Sequence, residues 1–468
     1  MVPYLPKQIT YRAIITYLAA LIAVSLLFSN YAMMFGYMVL GITCVVGFFA
    51  IVNSWSKDNQ ATDDAVFLKN LILVAFFLRI VWLVASFFYY IEATGIPFEL
   101  GAADSIAYHE EAKWLASEKW ESIWSYYFGT GSAGISDVGY PLYLTVLYKL
   151  FGPVIIIPRI LKAMISTYTC ILIYKLSSRT FGKECARMAG IMMALMPNLI
   201  IYCGYHLKET EMIFLEVAFM ERLDFLLRNK RASFWTIFFP TFLAGSLFFF
   251  RTVLGLSAIF AFATTVLLSN TPSMKRGWKR TAIICWGGLC LAILSGGTFM
   301  NEIEGYWEGR EENIQNKRYQ QTVRGNQWAQ YATGAVMAPM AMVLPFSTMV
   351  DVDNQYTQQT KHGGNFIRNF MGFFAILAIY EAFRQKKWRD YTLIGSFVIA
   401  YLGIVSLSGF SNSERFLLPG LPCLIMMWAY GISVLRKESF KLLTPWCFVV
   451  LAMEIGWAYF KLGSRGLV

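Results

Sequence analysis

Two pieces of one stretch decide how this chain is read: GAADSIAYHEEAKWLASEKW at 101–120 and DVGYPLYLTVLYKLFG at 137–152. The first is polar and helix-prone. The second is apolar, but from Val138 to Gly152 it is only about fifteen residues long. At 1.5 Å per residue it reaches about 22 Å, against a hydrocarbon core of about 30 Å. Whether that second piece crosses a membrane sets the orientation of everything after it.

The surroundings make the question unavoidable. Of 468 residues, 57% are hydrophobic, 17% aromatic and only 15% charged, with a mean hydropathy of +0.50. Soluble proteins carry about 25% charged residues. Lipid is therefore the expected solvent for most of the chain, and the fold class is an all-α integral membrane bundle. Apolar runs of spanning length fall near 11–29, 31–52, 69–91, 154–176, 187–205, 209–227, 233–250, 252–268, 281–299, 366–383, 391–410, 416–435 and 442–460. The first run lacks the small-residue cleavage pattern of a signal peptide and reads as a retained span.

Five short loops are basic: SSRTFGKECAR (177–187), RNKR (228–231), KRGWKR (275–280), RQKKWR (384–389) and RKESFK (436–441). The positive-inside rule assigns them, with Lys7 and Arg12, to the cytoplasm. Three spans then leave residue 92 outside. If 138–152 crossed, every later basic loop would fall on the wrong side. If it only dips into the interface, all five agree. The expected layout is about thirteen crossings plus one re-entrant or interfacial helix. It divides as 1–91 (three spans), 92–153 (an outer loop with interfacial helices), 154–299 (spans), 300–365 (a second large outer loop) and 366–468 (C-terminal spans).

The net charge of +11 sits in these loops, with no basic arm and no aromatic–basic interleaving, so nucleic acid is not an expected partner. The eight cysteines form no CxxC and lie almost entirely in apolar runs, where they read as small core residues. Nothing in the sequence indicates a cofactor or a metal set.

Cations in the outer turns run against the orientation rule. Lys208 lies in HLKETE (206–211), Arg251 in a turn, Arg415 in SNSER (411–415), and Arg159 and Lys162 open the span after the first outer loop. Each alone could snorkel to lipid headgroups. As a group they suggest a shared anion, since charges at membrane depth usually face a cavity and mark function. The simplest anion at that depth is a lipid phosphate.

Asp104 opens the helix-prone piece. On a helix it shares a stripe with Tyr108, Glu111 and Leu115. The bland reading is an N-terminal cap; the chemical one is a carboxylate poised to accept a proton from a hydroxyl, with the cations stabilising a departing phosphate. Glu209 and Glu211 begin a span, where the helix dipole favours acids; Glu209 is also a candidate second carboxylate. His109 lies on the other side of the Asp104 helix, and His206 precedes Lys208; the ordinary role of each is structural. Tyr108, Trp114, Tyr140 and Tyr143 could stack on sugar faces or anchor the loop at the interface, which is their default.

These residues together resemble the GT-C glycosyltransferases, closest to the bacterial protein-mannosyltransferase-like type of family 39. The likeness rests on Asp104 with SIAYHEEAKWLA, then GYPLYLTVLYKLFG, Pro158-Arg159-Ile160-Leu161, RTFGK, Pro197 with Lys208-Glu209-Thr210, and late Glu414-Arg415-Phe416-Leu417-Leu418-Pro419. It implies a bacterial inner-membrane enzyme with a periplasmic site. The enzyme would move a sugar from a polyprenyl-phosphate donor to a hydroxyl on a lipid-linked, glycan or protein acceptor, with inversion. It further implies that Asp104 is the base with Glu209 in support, and that Tyr108, His109, Tyr140, Arg159, His206, Lys208, Arg251 and Arg415 line the substrate site. The chain departs from protein mannosyltransferases in having one isolated Asp where they have an Asp–Glu pair. It also lacks the large soluble domain of oligosaccharyltransferases. Two alternatives remain: an O-antigen polymerase or ligase, which would place the chemistry in 300–365, and a flippase or secondary transporter, for which the internal repeat is missing.

Overall fold

A computed structural model of the chain describes residues 4–58, 62–129, 136–229, 233–268, 287, 340, 343, 345–352, 355–407, 414–463 and 465–468. Within them the long elements are helices: α1 (Lys7–Leu27), α2 (Phe35–Asp58), α3 (Asp64–Thr94), α4 (Ala103–Ser117), α5 (Trp120–Phe128), α6 (Gly139–Phe151), α7 (Ile156–Phe181), α8 (Lys183–Leu195), α9 (Pro197–Ile201), α10 (Glu209–Arg228), α11 (Phe234–Phe250) and α12 (Thr252–Leu268). After them come α13 (Tyr356–Gln359), α14 (His362–Arg384), α15 (Thr392–Leu407), α16 (Glu414–Leu417), α17 (Leu421–Ser433), α18 (Lys437–Lys441) and α19 (Leu443–Gly463). The all-α membrane bundle expected from composition is the architecture found.

Seven described helices are long and apolar enough to cross a membrane, eight if the bent pair α8–α9 is one span. α11 and α12 are shorter apolar helices. The expected span at 281–299 and most of 300–365 lie outside the described residues. Helix α6 has 13 residues, about 20 Å of rise, too short to cross.

The expected run 187–205 is broken. Met196 is extended, and α8 and α9 meet at 49°. The cause is Pro197, which has no N–H to give the carbonyl of Met193 four residues back. Arg79 from α3 supplies the missing donors. It is fully buried and its guanidinium donates to Met193 O (3.3 Å) and Ala194 O (3.1 Å), while Nε reaches Ser166 Oγ at 2.7 Å.

α7 and α10 run parallel, tied at both ends by charge. At one end Lys162 Nζ lies 3.7 Å from Glu211. At the other Arg179 holds Glu221 (2.9 Å) and Asp224 (2.7 Å). Near that second end Lys183 and Arg187 bind Asp64, and Phe181 stacks on Tyr430 and meets Tyr391 at a tilt. The first end receives the start of α10, the end of α11, and α4 and α6 packed on each other. α17 packs on α14 and α8, and α19 on α1. The candidate site sits at the first end.

Candidate functional site

Helix α4 follows Gly101, whose φ of 75° lies in the left-handed region glycine favours. The N-cap position is Ala102, and no side chain caps the helix. Asp104 therefore sits in the first turn with its carboxylate turned to another partner, 56% exposed and paired with Arg415 Nη1. The same guanidinium pairs through Nε with Glu209, which is fully buried in the first turn of α10. Beside them Lys208 donates to Phe250 O at 2.9 Å and pairs with the Asp137 carboxylate. Arg251 lies over the Phe416 ring at 4.6 Å, and its Nη1 has no hydrogen-bond partner among the described residues.

The result is a mosaic of three cations and three carboxylates drawn from five parts of the chain. Burial pushes the Lys208 pKa well below its ordinary value, Arg251 adds to that, and Glu209 opposes it. An anion arriving here would relieve that penalty. Tyr108 lies beside the cluster. Arg415, Glu209 and Asp104 are its electrostatic neighbours, and its ring meets Tyr140 edge-on at 5.2 Å.

The remaining predicted residues form a second, deeper layer. Arg159 is fully buried. It donates through Nη2 to Pro97 O and lies 5.8 Å from the Phe87 ring. Its Nε and Nη1 lack partners among the described residues. Lys162 donates to Tyr205 O (2.9 Å) and to Leu207 O. His109 Nδ1 and His206 Nε2 flank the Tyr148 hydroxyl at 2.8 and 3.1 Å. Desolvation lowers the pKa of His109. Desolvation, with Lys162 and Arg159 nearby, lowers that of His206 well below the ordinary range. Two neutral rings suit one hydroxyl, which donates to one and accepts from the other. The structure thus brings Asp104, Tyr108, Lys208, Glu209, Arg251 and Arg415 into one cluster. It sets His109, Tyr140, Arg159 and His206 behind Tyr108 in another.

Several participants were not singled out from the sequence. Asp137 opens the quoted DVGYP segment. Glu414 precedes Arg415 and is buried, with Asn198 Nδ2 at 2.5 Å, Tyr202 OH at 3.1 Å and Lys361 Nζ at 2.9 Å. Its place in the quoted late motif was the available signal. Lys361 and Arg368 carried none. Among the described residues no group of three or more His, Cys, Asp or Glu side chains is placed to hold a metal ion.

No protein-family model matches the sequence, and no curated protein sequence matches it. Solved structures do. ArnT from Cupriavidus metallidurans, bound to undecaprenyl phosphate, superposes with a TM-score of 0.50 at 14% identity over 84% of this chain and 64% of ArnT. The fold is GT-C. The archaeal oligosaccharyltransferase AglB from Archaeoglobus fulgidus, in complex with an inhibitory peptide and a dolichol-phosphate, gives 0.47 at 13% identity over 86% of this chain and 55% of AglB. The chain spans less than two thirds of either protein's length. The likeness to ArnT covers 84% of the chain, well beyond the stretch from Asp104 to Thr210 where most of the quoted motifs lie.

Proposed function

We propose that the protein is an integral-membrane glycosyltransferase. It would move a sugar from a polyprenyl-phosphate donor to a hydroxyl acceptor, with inversion at the anomeric carbon. The observation that carries this reading is Arg415 bridging Asp104 and Glu209 beside Lys208 and Arg251. Transfer to a hydroxyl needs a base for the proton and positive charge for the leaving phosphate, held at one place. Asp104 is exposed, as is Asp137, so an acceptor can reach it. The donor phosphate lies among Arg415, Lys208 and Arg251, as the C1–O bond to it breaks and Asp104 takes the acceptor's proton. ArnT, whose fold this chain shares, was solved with undecaprenyl phosphate bound, which supports a lipid-phosphate donor.

Behind Tyr108, the polar edges of Tyr140, His206 and Arg159 offer hydrogen bonds to a sugar's hydroxyls. Glu209 keeps Arg415 in register and serves as the second carboxylate. Arg179, Lys183 and Arg187, near the opposite end of α7 and α10, fit the cytoplasm, which supports a site on the periplasmic face of a bacterial inner membrane.

The test is Asp104→Asn in membranes supplied with radiolabelled polyprenyl-phosphate sugars. Transfer to product falls about 10²–10⁴-fold, as for loss of a catalytic base, while the protein stays folded. Undiminished transfer by Asp104→Asn overturns the reading.

A further inference from the structure

Arg368 lies in the second turn of α14, and its side chain is fully buried. None of its three side-chain nitrogens has a hydrogen-bond partner among the described residues. A guanidinium cannot shed its charge in a protein, and an unpaired buried charge is strongly unfavourable. The groups that act on it electrostatically are Glu414 and Tyr202. Glu414 is already engaged. Its Oε1 accepts from Asn198 at 2.5 Å, and its Oε2 from Tyr202 (3.1 Å) and Lys361 (2.9 Å). Among the described residues two buried cations, Lys361 and Arg368, thus face one carboxylate, and one positive charge is left over. Arg79 makes the contrast plain: it is equally buried, but its nitrogens find two carbonyls and a hydroxyl on neighbouring helices.

We infer that Arg368 and Lys361 form a second oxyanion site, taking a phosphate group separate from the one held at Arg415. A planar guanidinium with free donors matches phosphate oxygens two at a time, and an ammonium beside it adds a point charge. Intramembrane ionisable groups mark such sites by default. This charged group adjoins the Arg415 cluster: Tyr202 has Glu414, Glu209 and Arg415 as electrostatic neighbours, and Glu414 and Arg415 are consecutive. An entering phosphate takes the place of the Glu414 carboxylate at Lys361 and gives Arg368 its partner. The choice of ligand rests on the reading of the Arg415 cluster as a lipid-phosphate site. One phosphate chemistry has two sources here, the second phosphate of a diphosphate-linked donor or a phosphate on the acceptor.

The experiment measures thermal unfolding and ligand binding of the purified full-length chain in lipid nanodiscs. The probes are undecaprenyl phosphate, undecaprenyl diphosphate, and undecaprenyl phosphate followed by inorganic phosphate. Wild-type protein is stabilised further by the diphosphate than by the monophosphate if the second phosphate belongs to the donor. It is stabilised further by added inorganic phosphate if it belongs to the acceptor. In either case Arg368→Gln loses that increment, with affinity for the second phosphate roughly tenfold to a hundredfold weaker, and keeps the monophosphate shift. Ligand-free Arg368→Gln unfolds no earlier than wild type, because an unpaired charge has been removed. The inference fails if wild type shows no increment in either arm, if Arg368→Gln retains it, or if the ligand-free variant unfolds at lower temperature. Arg415→Gln keeps the two readings apart: undiminished monophosphate binding by that variant overturns the donor site and leaves the Arg368 result standing on its own.

Discussion

Arg415 pairs with Asp104 across 311 residues of sequence. The two members of the network it builds differ in burial, and that difference separates their roles experimentally. Asp104 is 56% exposed and Glu209 is fully buried. An exposed pair contributes little to stability, about 0–1 kcal/mol, so Asp104→Asn leaves the unfolding midpoint near wild type while transfer collapses.

Arg415→Gln behaves differently. It strands the Glu209 carboxylate in the interior, and breaking a buried pair costs about 3–5 kcal/mol. Arg251 and Lys208 still act on Glu209, which puts the loss at the lower end. The double variant Arg415→Gln/Glu209→Gln recovers most of the midpoint but none of the transfer activity. Thermal unfolding in nanodiscs, run beside the transfer assay, reads both. If Arg415→Gln unfolds with wild-type protein, the pairing does not hold Glu209.

Much of this cluster was legible before the structure, for one physical reason. Lys208, Glu209, Arg251 and Arg415 are charges stranded in short polar turns between apolar runs, Asp104 is in the first long polar loop, and such segments meet at the ends of a bundle. Which charge met which was not legible, because pairing across 311 residues is set by helix packing. Arg159 and Lys162 look in sequence like members of the same outer rim. Their position on α7 turns them inward, onto carbonyls of Pro97, Tyr205 and Leu207. Capping was a fair alternative for Asp104, but the N-cap position lies two residues earlier, at Ala102. Arg368 gave no signal at all, since one arginine near the start of an apolar run reads as a snorkelling end. The break at Pro197 was hidden in a run apolar enough to pass for a continuous span.

The paired histidines predict a pH dependence of stability. Both have pKa values depressed in the folded protein below the ordinary 6.5, His206 the more strongly. Between the folded and the ordinary value the unfolded chain binds more protons, so stability rises with pH across that window and is lost as pH falls below about 6.5. Each histidine contributes a slope of up to about 1.4 kcal/mol per pH unit. Glu111, raised by burial, acts in the opposite direction just above its own ordinary value of 4.5. Unfolding midpoints from pH 5 to 8 should therefore fall toward the acid side in wild type and flatten in His206→Gln. An equal slope in that variant would place the titrating group elsewhere.

Arg79 and Pro197 form a compensating pair. Arg79→Met removes the donors to Met193 O and Ala194 O and leaves buried carbonyls unsatisfied, at about 1–3 kcal/mol each. Adding Pro197→Ala supplies a backbone N–H that can reach Met193 O. The double variant then regains part of the lost midpoint. It also straightens the bend that presents Asn198 and Tyr202 to Glu414, so transfer stays low. A double variant no more stable than Arg79→Met would show that the bend is held by packing and not by the missing hydrogen bond.

Two glycines on neighbouring helices separate stability from function. A Cβ on Gly431 would strike the backbone oxygen of Phe374, where α17 lies against α14. Backbone cannot rotate away, so Gly431→Ala forces the helices apart and costs about 1–3 kcal/mol by overpacking. A Cβ on Gly364 would strike Oδ1 of Asn198, whose amide nitrogen holds both Asn365 and Glu414. A side-chain amide can move, but moving it loosens Glu414 and with it the turn that carries Arg415. Gly431→Ala should therefore lower the unfolding midpoint and leave undecaprenyl phosphate affinity near wild type. Gly364→Ala should lower the midpoint less and weaken that affinity about tenfold, the scale of one charge-assisted hydrogen bond. Parallel loss of midpoint and affinity in both variants would mean that α14 and α17 move as one block, and that Asn198 has no separate hold on Arg415.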